Sequence, residues 1–235
     1  MARGGKAEAS TARRPKTRTR ILAACRQLFN ERGPSNVTTA EIAATLGINE
    51  GNLYYHFQRK EQILEALFEE FENSLRDVAG AFKTYGDDLK RYPDYLAGWF
   101  TLMWKWRFFY RDAAAVYRLS PSLRPRLRGL SDDGQNDVRE SLKGMEAAGL
   151  ISIPPQAMEA LIVNSWIVSS YWIEYLKSRH GVAEVTREHL KWGAAQVMSL
   201  FRPFLTPAWA ALFEAPAPRP QSQELRDEEP GRPRR

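Results

Sequence analysis

Apolar positions recur with the period of an α-helix along most of the 235-residue chain. Positions 21, 22, 25, 28 and 29 share one face of a first helix, and Gly33 with Pro34 predicts its end. Further helices are predicted from about residue 60, from 93 to about 110, and near 132–148, 155–179 and 184–205. Segment 113–130 contains two prolines and is predicted to be less regular. No segment alternates as a β-strand does, so the sequence predicts an all-α fold.

Two short helices joined by a glycine are predicted between residues 38 and 57. Thr38 and Glu41 fit a capping box at the start of the first, and Asn49 is the predicted cap of the second. Gly47 can take the left-handed backbone conformation that a tight turn needs. Leu53 would then anchor the second helix in a shared core. This layout predicts a helix-turn-helix, a motif that places its second helix in the major groove of DNA.

The second of these helices keeps several side chains outside the predicted core. Asn52 can pair with adenine and Glu50 can accept a hydrogen bond from cytosine. For Glu50 the alternative is a carboxylate that stabilises its own helix N-terminus. The candidates to face a major groove are Glu50, Gly51, Asn52, Tyr54, Tyr55 and His56.

Positive charge is concentrated at the N-terminus of the chain. The net charge is +6, and residues 1–20 hold seven Lys or Arg against one Glu. Residues 1–16 and 214–235 lack apolar periodicity and are predicted to be disordered. A basic N-terminal arm suits phosphate backbones or anionic membranes, and a solubilising tail is the alternative.

Other function classes find little support in the sequence. The longest uncharged apolar stretch, 160–173, is shorter than the about 20 residues of a transmembrane helix, and no signal peptide is recognised. The single cysteine, Cys25, permits no disulfide, so a cytoplasmic location is expected. The pairs Asp87-Asp88 and Asp132-Asp133 are placed in loops. No glycine loop, nucleophile motif or metal-ligand spacing is recognised, so no enzyme, cofactor or metal is predicted.

Residues 17–64 resemble the DNA-binding domain of the tetracycline-repressor (TetR) family. The resemblance rests on Val37-Thr38-Thr39-Ala40-Glu41-Ile42-Ala43, on Gly47-Ile48, on Leu53-Tyr54-Tyr55-His56-Phe57, and on Lys60 followed by Glu61 and Leu64. It implies a bacterial homodimeric repressor that binds a palindromic operator and is released by a small molecule. It also implies that Thr38 or Thr39, Tyr55, His56 and Lys60 bind phosphates, and that Glu50, Gly51, Asn52 and Tyr54 approach base edges.

The remaining residues, 65–213, resemble more weakly a bacterial-repressor C-terminal domain. The matching segment is Trp-x-Trp-Arg-Phe-x-Tyr-Arg, from Trp104 to Arg111. Its aromatic side chains line either a core or an effector pocket. Arg107 is a candidate anchor for an anionic group, with an ion pair or a solvated charge as the alternative. The effector candidates are Trp104, Arg107, Phe108, Asn164, Ser165 and Trp166. By the same resemblance, the helices near 155–179 and 184–205 form the dimer contact.

Overall fold

The computed structural model describes residues 16–85 and 92–210, and all of the regular structure in these ranges is helical. Three predicted features lie outside the described residues. They are the arm 1–16, apart from Lys16, the tail 214–235 and the pair Asp87-Asp88. The α-helices are α1 (Thr17–Arg32), α2 (Thr39–Leu46), α3 (Glu50–His56), α4 (Lys60–Tyr85), α5 (Tyr92–Lys105), α6 (Arg107–Arg111), α7 (Ala113–Leu119), α8 (Leu123–Ala147), α9 (Pro155–His180), α10 (Arg187–Phe201) and α11 (Pro207–Ala210).

The predicted ends of the first helices are confirmed, because local signals set them. Helix α1 ends at Arg32, and Gly33 follows with a φ of 81°. Helix α2 ends at Leu46, and its C-cap Gly47 has a left-handed backbone, with a φ of 64° and a ψ of 34°. Only glycine adopts this conformation without steric cost. The turn that orients α3 against α2 therefore depends on Gly47.

The helix predicted from residue 93 to about 110 is interrupted at Trp106. Helix α5 ends at Lys105, and α6 begins at Arg107. The cause is Asn30 of α1, whose side-chain amide donates to the Lys105 carbonyl (2.9 Å) and accepts from the Phe108 N–H (3.2 Å). Asn30 is buried and satisfies backbone groups at the break, where unpaired groups would be costly. The sequence pattern around residue 106 contains no sign of this partner.

The segment predicted to be irregular, 113–130, is largely helical. Helix α7 occupies its first part, and α8 begins at Leu123. Pro121 lies between the two helices, and Pro125 is the third residue of α8. A proline is tolerated in the first turn, since the N–H groups there have no partner within the helix. Asp132 and Asp133, expected in a loop, lie within α8.

Two clusters of buried apolar side chains form the interior. The first core joins α1–α4 to Leu102, Trp106, Phe108 and Phe109 and to the start of α8. The second core joins α5, α8, α9 and α10. Trp99 packs against both cores. Helix α4 is continuous across residue 64, so the helix-turn-helix and the C-terminal helices share one long element.

Candidate nucleic-acid interface

The helix-turn-helix is built from α2, its turn and α3. Ile42 and Ala43 of α2 and Leu53 of α3 are buried, and the Ile48 N–H donates to the Ala43 carbonyl (3.1 Å). Phe57, at the C-terminal cap of α3, is also buried in the first core. The apolar side of α3 is therefore fixed, and its opposite side faces solvent.

The predicted exposure of the α3 side chains is confirmed. Glu50, Gly51 and Asn52 are exposed, and Tyr55 is 85% exposed. His56 is half-buried, and its ring meets the edge of the Tyr55 ring with 5.2 Å between centroids. Tyr54, 43% exposed, lies next to Tyr55, so α3 presents two adjacent aromatic side chains to solvent.

Helix α3 is joined to the start of α2 by a polar contact. The Thr39 hydroxyl donates to Glu50 Oε2 (3.2 Å) and shares a hydrogen bond with the Tyr54 hydroxyl (3.1 Å). Both expected roles of Glu50 therefore compete with a third, which is to hold α3 on α2. In contrast, the Asn52 side chain forms no hydrogen bond within the described part of the chain, while its N–H donates to Asn49 Oδ1 (2.7 Å). The Asn52 side chain is therefore available to a partner outside the chain.

Lys60 begins α4 beside the N-terminal end of α2. Its ammonium donates to the Val37 carbonyl (2.7 Å), one residue before Thr38. Burial lowers the pKa of Lys60, while the charge of Glu41 opposes this change. An ammonium has three N–H donors, and this bond uses one of them. The bond holds the Lys60 side chain next to the residue that precedes Thr38.

The predicted capping box at α2 is confirmed. The Thr38 N–H donates to Glu41 Oε2 (2.7 Å), and the Glu41 N–H donates to the Thr38 hydroxyl oxygen (3.2 Å). These bonds from Thr38, followed by the bond from Arg32, lower the pKa of Glu41 to about 2. The capping box therefore pairs the first backbone N–H groups of α2 within the chain itself.

Two arginines belong to this region although the sequence reasoning assigned them no role. The Arg20 guanidinium donates to the Leu46 carbonyl (3.4 Å) at the end of α2. The Arg18 guanidinium lies over the Phe57 ring, 5.1 Å from its centroid. Both are exposed and add positive charge at the start of α1. In the sequence, both arginines count only toward the positive charge of residues 1–20. The fold shows which groups they contact.

A cavity of about 490 Å³ lies between the helices of the C-terminal part. Its walls come from α4, α5, α8, α9 and α10, and Trp99 and Trp166 are among the lining residues. This volume is in the range of small-molecule sites. Helix α4 contributes to one wall between Glu72 and Gly80.

The six side chains expected at an effector site do not meet in one place. Ser165 and Trp166 line the cavity, whereas Asn164 is exposed on α9. Phe108 is fully buried in the first core. The Arg107 guanidinium lies over the Trp104 ring, 3.8 Å from its centroid, and donates to the Trp104 carbonyl (2.9 Å). Burial, followed by the neighbouring Arg111, lowers the pKa of Arg107.

Helix α9 carries a row of exposed apolar side chains that sequence reasoning missed. Val163, Ile167, Tyr171 and Tyr175 follow each other at intervals of four residues, and Ile167 and Tyr171 are 56% and 61% exposed. We call these four residues the α9 stripe. Ile162 and Ile173, also on α9, are buried in the second core and belong to its inner face. Helix α9 is apolar on most sides, so periodicity alone could not separate the two faces.

Other kinds of site are not found in the described ranges. Residues 16–85 and 92–210 contain no group of three or more His, Cys, Asp or Glu side chains placed to hold a metal ion. Within the same ranges, no helix has the length and apolar character needed to cross a membrane.

A helix-turn-helix with an exposed polar recognition face, joined to a helical domain with a cavity, defines a DNA-binding transcriptional regulator. Residues 21–67 match the family described as "Bacterial regulatory proteins, tetR family". Residues 70–213 match the family described as "Bacterial transcriptional repressor". The chain belongs to the TetR family of transcriptional regulators, and its relatives are regulators rather than enzymes.

Individual relatives agree with this assignment. A TetR-family transcriptional regulator from Marinobacter aquaeolei VT8 is 33% identical, with a TM-score of 0.76, over 84% of this chain and 95% of that one. The nucleoid occlusion factor SlmA of Cronobacter sakazakii is 35% identical over 69 residues, 29% of this chain and 35% of its own length. The regulator TtgR of Pseudomonas putida is 32% identical over 65 residues, 28% of this chain and 31% of its own length. The chain therefore matches about a third of each of these last two relatives.

Proposed function

We propose that this chain is a homodimeric repressor that binds a palindromic operator and is released by a small molecule in the C-terminal cavity. The observation that carries this proposal is the α9 stripe, which supplies a second contact surface besides the recognition helix. In the described part of the chain, the exposed large apolar side chains lie only on α3 and α9. One surface faces DNA and the other faces a second copy.

The dimer follows from the size and chemistry of the α9 stripe. Four apolar side chains in one row on a 26-residue helix leave a patch that water solvates poorly. A closed two-fold contact buries the same patch on both subunits. Helix α10 packs against α9 within the subunit, so it is positioned to contribute to the same interface. A single recognition helix reads few base pairs, and pairing doubles the sequence that is read.

The DNA contacts follow from the side chains around α2 and α3. Thr38, Tyr55, His56 and Lys60 supply a hydroxyl, a phenol, an imidazole and an ammonium, which are phosphate ligands. Asn52 is exposed and without a side-chain partner in the described chain, which favours it as a base-reading residue. Thr39, Glu50 and Tyr54 are bonded to one another, and we propose that this contact fixes the angle of α3 in the groove.

Release by an effector follows from the position of α4. This helix begins at Lys60 beside α2 and lines the cavity from Glu72, a distance of about 18 Å along its axis. Glu65 accepts a hydrogen bond from Ser122 (2.9 Å), which ties α4 to α8 between these points. A ligand that binds one position of α4 better than another shifts the spacing of the two recognition helices. The effector site proposed here retains Ser165 and Trp166.

Selection of operator sequences from random duplexes with the purified chain tests this proposal. The expected product is a palindrome whose half-sites lie about one helical turn apart or slightly more. Mapping the enriched sequence onto the source genome then identifies the regulated genes. Enrichment of a single unrepeated half-site would contradict the dimeric mode of binding. Absence of any enriched sequence would contradict operator recognition itself.

A further inference from the structure

The cavity wall combines two tryptophan rings with apolar side chains. The Trp99 and Trp166 ring centroids are 6.1 Å apart, and the planes are inclined by 56°. Trp166 also lies against Gly134 of α8, where a Cβ would be 3.2 Å from its Cζ3 atom. The absence of a side chain at Gly134 therefore lets the Trp166 ring pack directly on α8. Indole rings attract a cation above their faces more strongly than other aromatic rings do.

Ionised side chains at the cavity carry more negative than positive charge. The lining residues with a formal charge in the described chain are Glu72, Arg76, Asp133 and Asp137. Glu72 is neutralised by Arg126, whose Nη2 lies 2.5 Å from its Oε2.

Asp133 and Asp137 lie one turn apart on α8 and form no ion pair with a described residue. Both carboxylates are exposed. In the sum over the lining residues the positive charge of Arg76 offsets one of them, so one negative charge remains in excess.

Arg76 is the one cationic donor among the described lining residues, and the other side-chain donors, which include the Gln135 amide and the Ser169 hydroxyl, are neutral. The Ser165 hydroxyl already donates to the Leu161 carbonyl (2.7 Å) in its own helix. The Arg76 guanidinium is exposed and donates to Asn73 Oδ1. The cavity thus offers aromatic faces and an excess carboxylate, which together complement an apolar molecule with one positive charge.

We propose that the cavity binds organic monocations with an apolar body, their charge attracted by the rings of Trp99 and Trp166 and by the carboxylates of Asp133 and Asp137. This inference rests on the proposed role of the cavity as the effector site. Quaternary ammonium compounds belong to this class because they carry a permanent charge and no N–H donor. A neutral molecule of equal shape gains the apolar contacts and lacks the electrostatic attraction.

The experiment compares ligands that differ in charge on the full chain. Benzyltrimethylammonium is the cation, 2,2-dimethylpropylbenzene is its neutral isostere, and phenylacetate is an anion of similar size. Quenching of tryptophan fluorescence, checked by calorimetry, gives each Kd. The cation is expected to bind about tenfold more tightly than the neutral isostere, and phenylacetate more weakly than the cation. The cation is also expected to weaken operator binding.

Substitutions test whether Asp133 and Asp137 cause the preference for a cation. The double variant Asp133→Asn with Asp137→Asn is expected to weaken cation binding about tenfold and to leave the neutral isostere unchanged. Asp132→Asn is the matched control, because Asp132 is exposed on the same helix but does not line the cavity. Circular dichroism and operator binding establish that the variants fold. If the double variant does not fold, the comparison of ligands on the unaltered chain decides the question.

Several results would overturn the inference. These are no binding of the cation, equal or tighter binding of the neutral isostere or of phenylacetate, or unchanged cation binding in a folded double variant. These results can be distinguished from a failure of the proposed repressor function. If the ligand-free chain does not select an operator, the repressor proposal fails whichever ligand the cavity prefers.

Discussion

Exposure and hydrogen bonding divide the roles of neighbouring residues on α3. Glu50 and Tyr54 are bonded to Thr39, whereas the side chains of Asn52 and Tyr55 extend into solvent. The sequence predicted the exposure of all four, since the anchor at Leu53 fixes the helix face. It did not predict the contact with Thr39, because that contact depends on how closely α2 and α3 approach.

Replacement of Asn52 by alanine tests its assignment as a base-reading residue. Asn52→Ala is expected to relax discrimination at one base position of each half-site by about 1–3 kcal/mol. Tyr55→Phe is the matched comparison, because loss of a phosphate contact weakens binding to every sequence alike. Binding to a set of single-base operator variants measures both effects. An Asn52→Ala protein with an unchanged base preference at every position would show that another residue reads the operator.

The capping box gives a pH-dependent contribution to stability. The folded-state pKa of Glu41, about 2, lies below its ordinary value of 4.5, so the ionised carboxylate is favoured by folding. This stabilisation is complete above pH 4.5 and is lost as the pH falls towards 2. Glu41→Gln is therefore expected to lower the urea midpoint at pH 6 and to differ progressively less from the unaltered chain below pH 4.5. Glu184→Gln, at an exposed loop position, is the control. A difference that stayed constant from pH 6 to pH 3 would exclude the carboxylate as its source.

At the scale of elements, local signals determined what the sequence could predict. The ends of α1 and α2 were predicted because glycine, proline and capping residues act on their own turn. The break between α5 and α6 was not, because it depends on Asn30, 78 residues before Phe108. The start of α8 was missed since prolines were taken to exclude a helix. An effector pocket was predicted, and two of its six candidates, Ser165 and Trp166, line the cavity. The rest of the lining and the α9 stripe were not predicted, because they depend on which faces of five helices meet.

Packing between α5, α9 and α10 has little space at Gly193. A Cβ at this position would lie 2.5 Å from Trp172 Nε1 and 2.6 Å from Phe100 Cε1. Gly193→Ala is therefore expected to destabilise the fold by about 1–3 kcal/mol, because both rings belong to the second core. Gly144→Ala is the control. Gly144 is exposed in α8 with nothing within 4 Å, so alanine there is expected to stabilise by about 0.5–1 kcal/mol. Urea unfolding measures both, and equal effects would contradict the crowding argument.

At the scale of the whole molecule, the position of the positive charge and the path of helix α4 fit the same proposed function. Positive charge gathers at the N-terminus, next to the helix-turn-helix, and α4 joins that region to the cavity. The α9 stripe lies on a different helix from the recognition face. We therefore propose that DNA, the effector and the partner copy bind three separate surfaces of one chain.

Removal of the basic N-terminal segment tests its contact with DNA. Residues 1–16 carry five Lys or Arg against one Glu. The measured quantity is the slope of the logarithm of the DNA-binding constant against the logarithm of the salt concentration. If two or three cations per subunit contact phosphates, this slope is expected to be smaller in magnitude by about 4–5 for a dimer of chains that begin at Thr17. The loss is expected on operator and random duplex alike, because backbone contacts carry no direct sequence information. Equal slopes for the two proteins would leave long-range attraction as the only role of the segment.

The mass of the protein–operator complex tests the dimer most directly. Sedimentation or native mass spectrometry with the selected operator is expected to find two chains per duplex, twice 26.9 kDa of protein. Ile167→Asp places a charge in the α9 stripe and is expected to shift the free protein to monomers and to weaken operator binding, because burying an unpaired charge is costly. Asn164→Asp, at the neighbouring exposed position, is the control for charge on α9. A single chain of 26.9 kDa on a fully bound operator would contradict the account.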